Sequence, residues 1–143
     1  MNIYFCGAIA GGRDHLTVYR HIVSRLQADG HTVPTQHVAS PDVLHEEQAF
    51  TPRAVYERDQ AWLQRAEVMI AEISTPSLGV GSEIALGLQL GKPVLCLYRE
   101  GLSISKMITG NPAPTLQVHT YGNLSDLDRH IDRFLAGLAA SKI

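Results

Sequence analysis

A chain of 143 residues is long enough for one domain with a substantial hydrophobic core. Its hydrophobic content of 45% and charged content of 18% are ordinary for a globular protein. The formal charge is −2 and the basic residues are scattered along the chain, which argues against binding to a nucleic-acid backbone or an anionic membrane. No apolar run approaches the roughly 20 residues of a membrane span. Strand-like sequence begins at Ile3, so we expect no signal peptide.

The two cysteines, Cys6 and Cys96, each lie within an apolar, strand-like run. That setting favours buried free thiols in a reducing compartment over a disulfide framework. We therefore predict a cytoplasmic protein that forms a single domain over residues 1–143.

Short apolar runs alternate with helical periodicity from one end of the chain to the other. The apolar runs predict five strands, at residues 2–6, 32–38, 68–73, 93–98 and 116–119. Apolar residues at three- and four-residue spacing predict helices at residues 16–26, 52–66, 82–90 and 124–138. The segment 39–50 has no clear period and is expected to be a mobile loop, and residues 78–81 are expected to form a turn.

This alternation of strands and helices predicts an α/β fold, a flavodoxin-like, doubly wound five-stranded parallel sheet with helices on both faces. In such sheets ligands bind beyond the carboxyl ends of the strands. The rule directs attention to three segments, namely the glycine-rich turn 7–12, the start of the helix at Pro52 and residues 78–83.

Glu83 lies just after two glycines, Gly79 and Gly81, at the predicted start of a helix. Free backbone amides and the helix dipole at such a position stabilise an anion, so we expect a low pKa for this carboxyl group. An ionised carboxylate suits nucleophilic attack on the anomeric carbon of a sugar. The alternative is an acidic residue in a first helical turn with no catalytic role.

Asp59 falls on the face of its predicted helix that also carries the apolar residues Val55 and Trp62. Burial there disfavours the charged form, so we expect a raised pKa and a group able to donate a proton to a leaving base. The alternative is a buried aspartate paired with backbone amides or with an arginine such as Arg58.

Tyr4 is the third predicted catalytic residue, because it lies on the first strand beside the glycine-rich turn. Its hydroxyl is placed to orient Glu83 or to contact the sugar, and the alternative is a core tyrosine with a local hydrogen-bond partner.

Other motifs do not fit this sequence. The segment 7–12 lacks the dinucleotide fingerprint and is not followed by a Walker lysine. The seven histidines are dispersed without the spacing of metal ligands. We therefore predict no cofactor and no metal site.

Around these residues the chain resembles the nucleoside 2-deoxyribosyltransferase superfamily, and within it the 2′-deoxynucleoside 5′-monophosphate N-hydrolase branch. The resemblance covers nearly the whole chain, and its most specific part is the segment 75–81 followed by Glu83. Further matching segments are residues 4–7, 11–13, 22–26, 37–39, 62–64, 95–97 and 105–108, together with Asp59.

The resemblance implies an N-glycosidase that passes a deoxyribosyl group to water through a covalent intermediate on Glu83. Asp59 would position and protonate the leaving base, and Tyr4 would support the glutamate. The implied partners are a small nucleoside or nucleotide and a second copy of the chain, whose Ser105 and Met107 would reach the neighbouring site. The implied substrate-binding residues are Gly7, Ile9, Gly11, His37, Ser77, Gly79, Ser105 and Met107.

Two departures leave alternatives open. The hydrolase branch usually has serine and arginine where this chain has Ala8 and Ala10, which removes phosphate contacts that Arg13 or Lys106 would have to replace. A transferase that passes deoxyribose to another base and favours unphosphorylated nucleosides is therefore the second interpretation, although the carboxyl terminus lacks the polar or aromatic end typical of that branch. A nucleotide-sensing domain without turnover is the third interpretation.

Overall fold

Four parallel strands form the centre of the molecule in the computed structural model, which describes residues 1–142. The strands follow the order of the chain across the sheet, and they are β1 (Ile3–Cys6), β2 (Val68–Glu72), β3 (Val94–Arg99) and β4 (Leu116–Tyr121). Phe5 pairs with Ile70, which pairs with Leu95 in turn. Nearly every residue of the first three strands is buried, as expected for a parallel sheet covered on both faces.

Helices cover both faces of this sheet. They are α1 (Leu16–Ala28), α2 (Val43–Glu47), α3 (Pro52–Arg65), α4 (Leu78–Gln89), α5 (Lys106–Thr109) and α6 (Leu124–Ser141). Helices α1 and α6 bury their apolar residues on the face that carries Phe5, whereas α3 and α4 cover the opposite face, which carries Tyr4 and Cys6. Successive residues of a strand point to opposite faces, so the position of Tyr4 on β1 directs its side chain toward α3 and α4.

The prediction of five strands is wrong, because residues 32–38 form only a single bridge between Asn2 and Thr32. Pro34 has no amide hydrogen to continue a ladder. The side chain of Thr35 accepts a hydrogen bond from the Phe5 amide at 2.9 Å, in place of a strand carbonyl. The chain then enters a 3₁₀ turn, Gln36–Ala39. The α/β class and the parallel sheet are confirmed, with the second of the five strands reduced to one bridge.

Two further boundaries differ from the sequence prediction. The segment 39–50, expected to be a loop, contains helix α2, and Val43 of that helix is fully buried. Helix α4 begins at Leu78 and not at residue 82, because the Ser77 hydroxyl caps it by accepting the Val80 amide at 3.3 Å. This earlier start places Glu83 in the second helical turn.

The glycine-rich turn after β1 packs closely against the segment that leads into α4. A Cβ atom at Gly11 would lie 2.4 Å from the Pro76 carbonyl oxygen, which is far inside contact distance. Only glycine fits this approach without moving backbone, so the contact fixes both loops at the carboxyl ends of β1 and β2.

Both cysteines are buried free thiols, as predicted. Burial raises the pKa of the Cys96 thiol to about 12 and raises that of Cys6 as well. The two thiols are therefore protonated core side chains rather than nucleophiles.

We expect Gly7→Ala to destabilise the fold by about 1–3 kcal/mol, because the added Cβ would lie 2.8 Å from the ring of the fully buried Tyr19. Gly137→Ala is the matched control, since it lies in α6 with no neighbouring atom within 4 Å, and it should stabilise the protein by up to ~1 kcal/mol. Urea unfolding of the three proteins measures both effects. Equal stability of Gly7→Ala and the wild type would contradict the packing described here.

Candidate active site

The three predicted catalytic side chains, Tyr4, Asp59 and Glu83, line one cavity of ≈ 220 Å³. Each comes from a different element, since Tyr4 lies on β1, Asp59 on α3 and Glu83 on α4. The cavity is completed by Pro52, Val55, Tyr56, Gln60, Leu63, Gly79, Ser82 and Leu86. The packing of α3 beside α4 on one face of the sheet therefore brings together residues that are far apart in the sequence.

Burial dominates the ionisation of Glu83 and raises its pKa to about 7. The Tyr4 hydroxyl, as a hydrogen-bond partner, and the Arg58 charge lower this pKa, whereas the negative charges of Asp59 and Glu47 raise it. The expectation of a low pKa was wrong, because Glu83 lies one turn inside α4, where the amides already bond within the helix. At neutral pH this carboxyl group is present in both forms.

Tyr4 is almost fully buried, with 1% of its surface exposed. Burial is the largest cause of the raised pKa of its hydroxyl, and the nearby Glu83 carboxylate adds to it. The phenol is therefore neutral, and it is placed to donate a hydrogen bond to an ionised Glu83.

Asp59 is held by its neighbour in the chain. The Arg58 Nε atom lies 2.8 Å from an Asp59 carboxylate oxygen, and both side chains are about one-fifth exposed. This is the arginine pair that the sequence analysis left open as the alternative. A charge-assisted hydrogen bond at this distance restricts the orientation of the carboxylate.

Arg58 and Glu47 are functional candidates that the sequence analysis did not identify as such, because it named Arg58 only as a possible partner of Asp59 and did not name Glu47. The Arg58 guanidinium also donates to Glu47 at 3.0 Å and lies 3.3 Å from the His37 Nε2 atom. The His37 ring is tilted against the Trp62 ring, with 5.7 Å between their centroids. Burial, followed by the Arg58 charge, lowers the pKa of His37, which favours a neutral imidazole at this edge of the site. Adjacency to Asp59 was the only sequence signal for Arg58, and Glu47 gave none.

A second, larger cavity of ≈ 880 Å³ adjoins the first and shares Gly79 with it. Its lining includes four more of the predicted substrate-binding residues, Gly11, Ser77, Ser105 and Met107. The other three predicted substrate-binding residues, Gly7, Ile9 and His37, line neither cavity. Gly7 packs under the Tyr19 ring, Ile9 packs on the opposite core, and His37 contacts Arg58 and Trp62.

Arg13, one of the two residues considered for a phosphate contact, is bonded to the backbone. Its guanidinium donates to the backbone carbonyls of Ala8, Val38 and Ser40 at 2.9, 2.6 and 2.7 Å. These bonds tie the glycine-rich turn to the 3₁₀ turn, so the charge of Arg13 is used to hold the scaffold. Lys106, the other candidate, is exposed at the start of α5.

Within residues 1–142, no helix combines the length and apolar character needed to cross a membrane. The same residues contain no group of three or more histidine, cysteine, aspartate or glutamate side chains arranged to hold a metal ion.

A family model described as nucleoside 2-deoxyribosyltransferase matches residues 3–127. A rat protein named 5-hydroxymethyl-dUMP N-hydrolase is 43% identical, over 98% of this chain and 90% of the relative. A Thermofilum pendens protein with the provisional name 2′-deoxynucleoside 5′-phosphate N-hydrolase 1 is 40% identical, over 96% of both chains. These matches confirm the resemblance inferred from the sequence.

Two solved structures share the fold. The Clostridium botulinum CMP N-glycosidase superposes with a TM-score of 0.68 at 15% identity, over 91% of this chain and 97% of the other. A 2-deoxyribosyltransferase from Bacillus psychrosaccharolyticus superposes with a TM-score of 0.63 at 20% identity, over 87% and 88%.

The raised pKa of Glu83 predicts how stability depends on pH. A glutamate with a pKa of 4.5 when unfolded and about 7 when folded keeps a proton in the folded state that the unfolded state has lost. The free energy of unfolding should therefore fall by up to ~3 kcal/mol between pH 4.5 and pH 7 because of this group alone. Glu83→Gln should remove that fall, whereas Glu57→Gln, an exposed change on α3, should keep it. Urea unfolding at several pH values measures the difference, and identical pH curves for wild type and Glu83→Gln would refute it.

Proposed function

Because the chain belongs to the nucleoside 2-deoxyribosyltransferase family, we propose that it is an N-glycosidase that hydrolyses the base–sugar bond of 2′-deoxyribonucleoside 5′-monophosphates. The observation that carries this proposal is the meeting of Tyr4, Asp59 and Glu83 around one cavity. Relatives named as N-hydrolases of deoxynucleotides, similar over nearly their full length, support cleavage of that bond.

In the proposed reaction, an oxygen of ionised Glu83 attacks the anomeric carbon and the bond to the base breaks. The base leaves with the bonding electrons and receives a proton that the Asp59 carboxylate, which lines the same cavity, relays from a water molecule. The deoxyribosyl group is then held as an ester on Glu83. The hydroxide left by that water attacks the same carbon and releases ionised Glu83, so that the sugar retains its configuration.

Each of the three side chains has a property that suits this sequence of steps. Burial of Glu83 removes water that would solvate the carboxylate and weaken its nucleophilicity. The neutral Tyr4 hydroxyl, which lines the same cavity, would orient that carboxylate. The Arg58–Asp59 pair fixes the oxygen atoms that would face the leaving base.

The adjoining cavity is proposed to take the 5′ end of the substrate. Ser77 and Gly79 lie at the amino end of α4, where free backbone amides favour an anion. Because Arg13 is bonded to backbone carbonyls, the phosphate would be held by amides and hydroxyl groups rather than by that guanidinium.

We also propose a homodimer that buries the larger cavity. Leu78 is 96% exposed and Met107 is 81% exposed at its rim, and apolar side chains of this size favour coverage by protein. In this arrangement Ser105 and Met107 of one chain would approach the site of the other, as the resemblance implies.

Deoxyribosyl transfer to a second base remains the alternative, and one observation favours it. The engagement of Arg13, together with alanine at positions 8 and 10, leaves the larger cavity without a charged lining residue, which suits an unphosphorylated nucleoside. Incubation with a deoxynucleoside and a second base, with and without the 5′-phosphate, separates the two functions. Only transfer produces a new nucleoside, whereas hydrolysis produces free base and sugar.

Glu83→Gln should reduce base release from deoxynucleoside monophosphates by at least about 10³-fold, because the amide cannot form the ester. Glu57→Gln is the matched control and should retain full activity. In the wild type, kcat/KM should fall as the pH drops below about 7, because protonation of Glu83 removes the nucleophile. Chromatography of the released base measures these rates. Activity of Glu83→Gln close to that of the wild type would eliminate Glu83 as the nucleophile.

Met107→Asp should shift the protein from dimer to monomer, because it places a charge on the apolar rim of the proposed interface. Leu124→Asp is the control, since it changes an exposed leucine at the start of α6, away from this cavity. Sedimentation velocity distinguishes the two states. A wild-type protein that sediments as a monomer at high micromolar concentration would argue against the dimer.

A further inference from the structure

Arg58 lies at the centre of a cluster of polar side chains at the edge of the catalytic cavity. Its guanidinium reaches Asp59 at 2.8 Å on its own helix, Glu47 at 3.0 Å on α2 and His37 at 3.3 Å on the 3₁₀ turn. Glu47 and His37 also approach each other, with 3.4 Å between an oxygen of the carboxylate and Nε2 of the ring. One side chain thus joins three separate segments of the chain.

Two aromatic rings restrict the same guanidinium. Its central carbon lies 4.9 Å from the centroid of the Trp62 ring and 5.6 Å from that of the Phe50 ring. Planar stacking on aromatic faces is a property of arginine that lysine does not share. With one-fifth of its surface exposed, Arg58 is held in one arrangement by contacts on several sides.

The position of Arg58 matters because its charge acts on the ionisation of Glu83 together with several other groups. The carboxylates of Asp59 and Glu47 act on Glu83 with negative charge, and Arg58 acts on it with positive charge. Tyr4 and Cys6 also face this carboxylate from β1, and burial keeps both of them neutral. His37, in contact with Arg58, is kept neutral by burial as well. In this set Arg58 supplies the positive charge, which opposes the effect of Asp59 and Glu47 on the ionisation of Glu83.

We propose that Arg58 is a positioning residue of the active site, which fixes the orientation of the Asp59 carboxylate and balances the negative charge of Glu47 and Asp59 so that Glu83 can ionise. This inference rests on the proposed function for its catalytic consequence, but the charge balance is a property of the folded protein alone. The reacting groups remain Glu83 and Asp59, and Arg58 acts through them.

A structural role is the competing explanation. Arg58 also links α2 and the 3₁₀ turn to α3, and loss of that link would lower activity without changing the ionisation of Glu83. The two explanations differ in the pH dependence, because a loosened segment changes the rate at every pH whereas a lost positive charge moves the titration of Glu83.

The experiment compares Arg58→Gln, Arg58→Lys and Glu47→Gln with the wild type. Arg53→Gln is the matched control, since Arg53 is exposed in the first turn of the same helix. Two readouts are taken for each protein. One is the pH profile of kcat/KM for base release, and the other is the titration of the Glu83 carboxyl carbon by NMR in protein labelled with ¹³C-glutamate, assigned with Glu83→Gln.

Arg58→Gln should move the acid limb of the profile and the Glu83 titration to higher pH by about one pH unit. Its kcat/KM at the optimum should fall roughly 10–100-fold, because Asp59 loses its orienting partner. Arg58→Lys retains the charge without the planar fork, so the limb should stay near that of the wild type while the rate falls. Glu47→Gln should move the limb to lower pH, and Arg53→Gln should change neither readout.

The outcomes separate the two hypotheses. An unmoved Glu83 titration in both Arg58→Gln and Glu47→Gln overturns the proposal, whatever happens to the rate. A Glu83 titration that moves as expected, in a wild-type protein that releases no base from any deoxynucleotide, supports the charge balance and overturns the proposed function instead. A titration that moves by the same amount in Arg58→Lys as in Arg58→Gln also overturns the proposal, because the charge is then not its cause.

Discussion

Desolvation of the Glu83 carboxyl group is the constraint on which the active site depends. Helices α3 and α4 lie side by side on one face of the sheet, and the space between them is closed below by Tyr4 from β1. A carboxyl group placed there loses water, and this loss, more than any single neighbour, sets its ionisation near neutrality. In the proposed reaction, in which Glu83 attacks carbon, the same exclusion of water favours the attack. Burial therefore favours the protonated form of Glu83, whereas the proposed reaction needs the ionised form.

The surrounding charges shift the ionisation of Glu83 in both directions, and their effects partly cancel. Tyr4 and Arg58 favour the ionised form of Glu83, whereas Asp59 and Glu47 oppose it. Two arginines differ in their partners, since Arg13 is bonded to three backbone carbonyls and Arg58 to side chains of the site. The first arginine holds two loops together, and the charge of the second one acts on Asp59 and Glu83, the proposed reacting groups.

Much of this arrangement could be predicted from the sequence. Periodicity predicts the helices α1, α3 and α6, and the rule that sites lie at the carboxyl ends of parallel strands predicts that Tyr4, Asp59 and Glu83 lie close together. The resemblance to a known family supplied their expected roles, and the family model and the relatives confirm the family itself. Their roles in the reaction stay predictions.

What could not be predicted depended on contacts between distant segments. The cap at Ser77 moved the start of α4 and with it the environment of Glu83, which periodicity alone does not reveal. The strand predicted at residues 32–38 is reduced to one bridge because Pro34 has no amide hydrogen to continue a ladder and the Thr35 side chain, not a strand carbonyl, accepts the Phe5 amide. Helix α2 has a single buried residue, Val43, so its short sequence carried too weak a pattern to be recognised.

The threonine that replaces that ladder has a consequence for assembly. The outward amides of β1 are occupied, since Ile3 donates to the Thr32 carbonyl at 2.8 Å and Phe5 donates to the Thr35 hydroxyl at 2.9 Å. A sheet margin whose donors are satisfied in this way offers no template for a strand from another molecule. On this side of the sheet, one hydroxyl group and one carbonyl therefore take the place that a strand from another molecule would need.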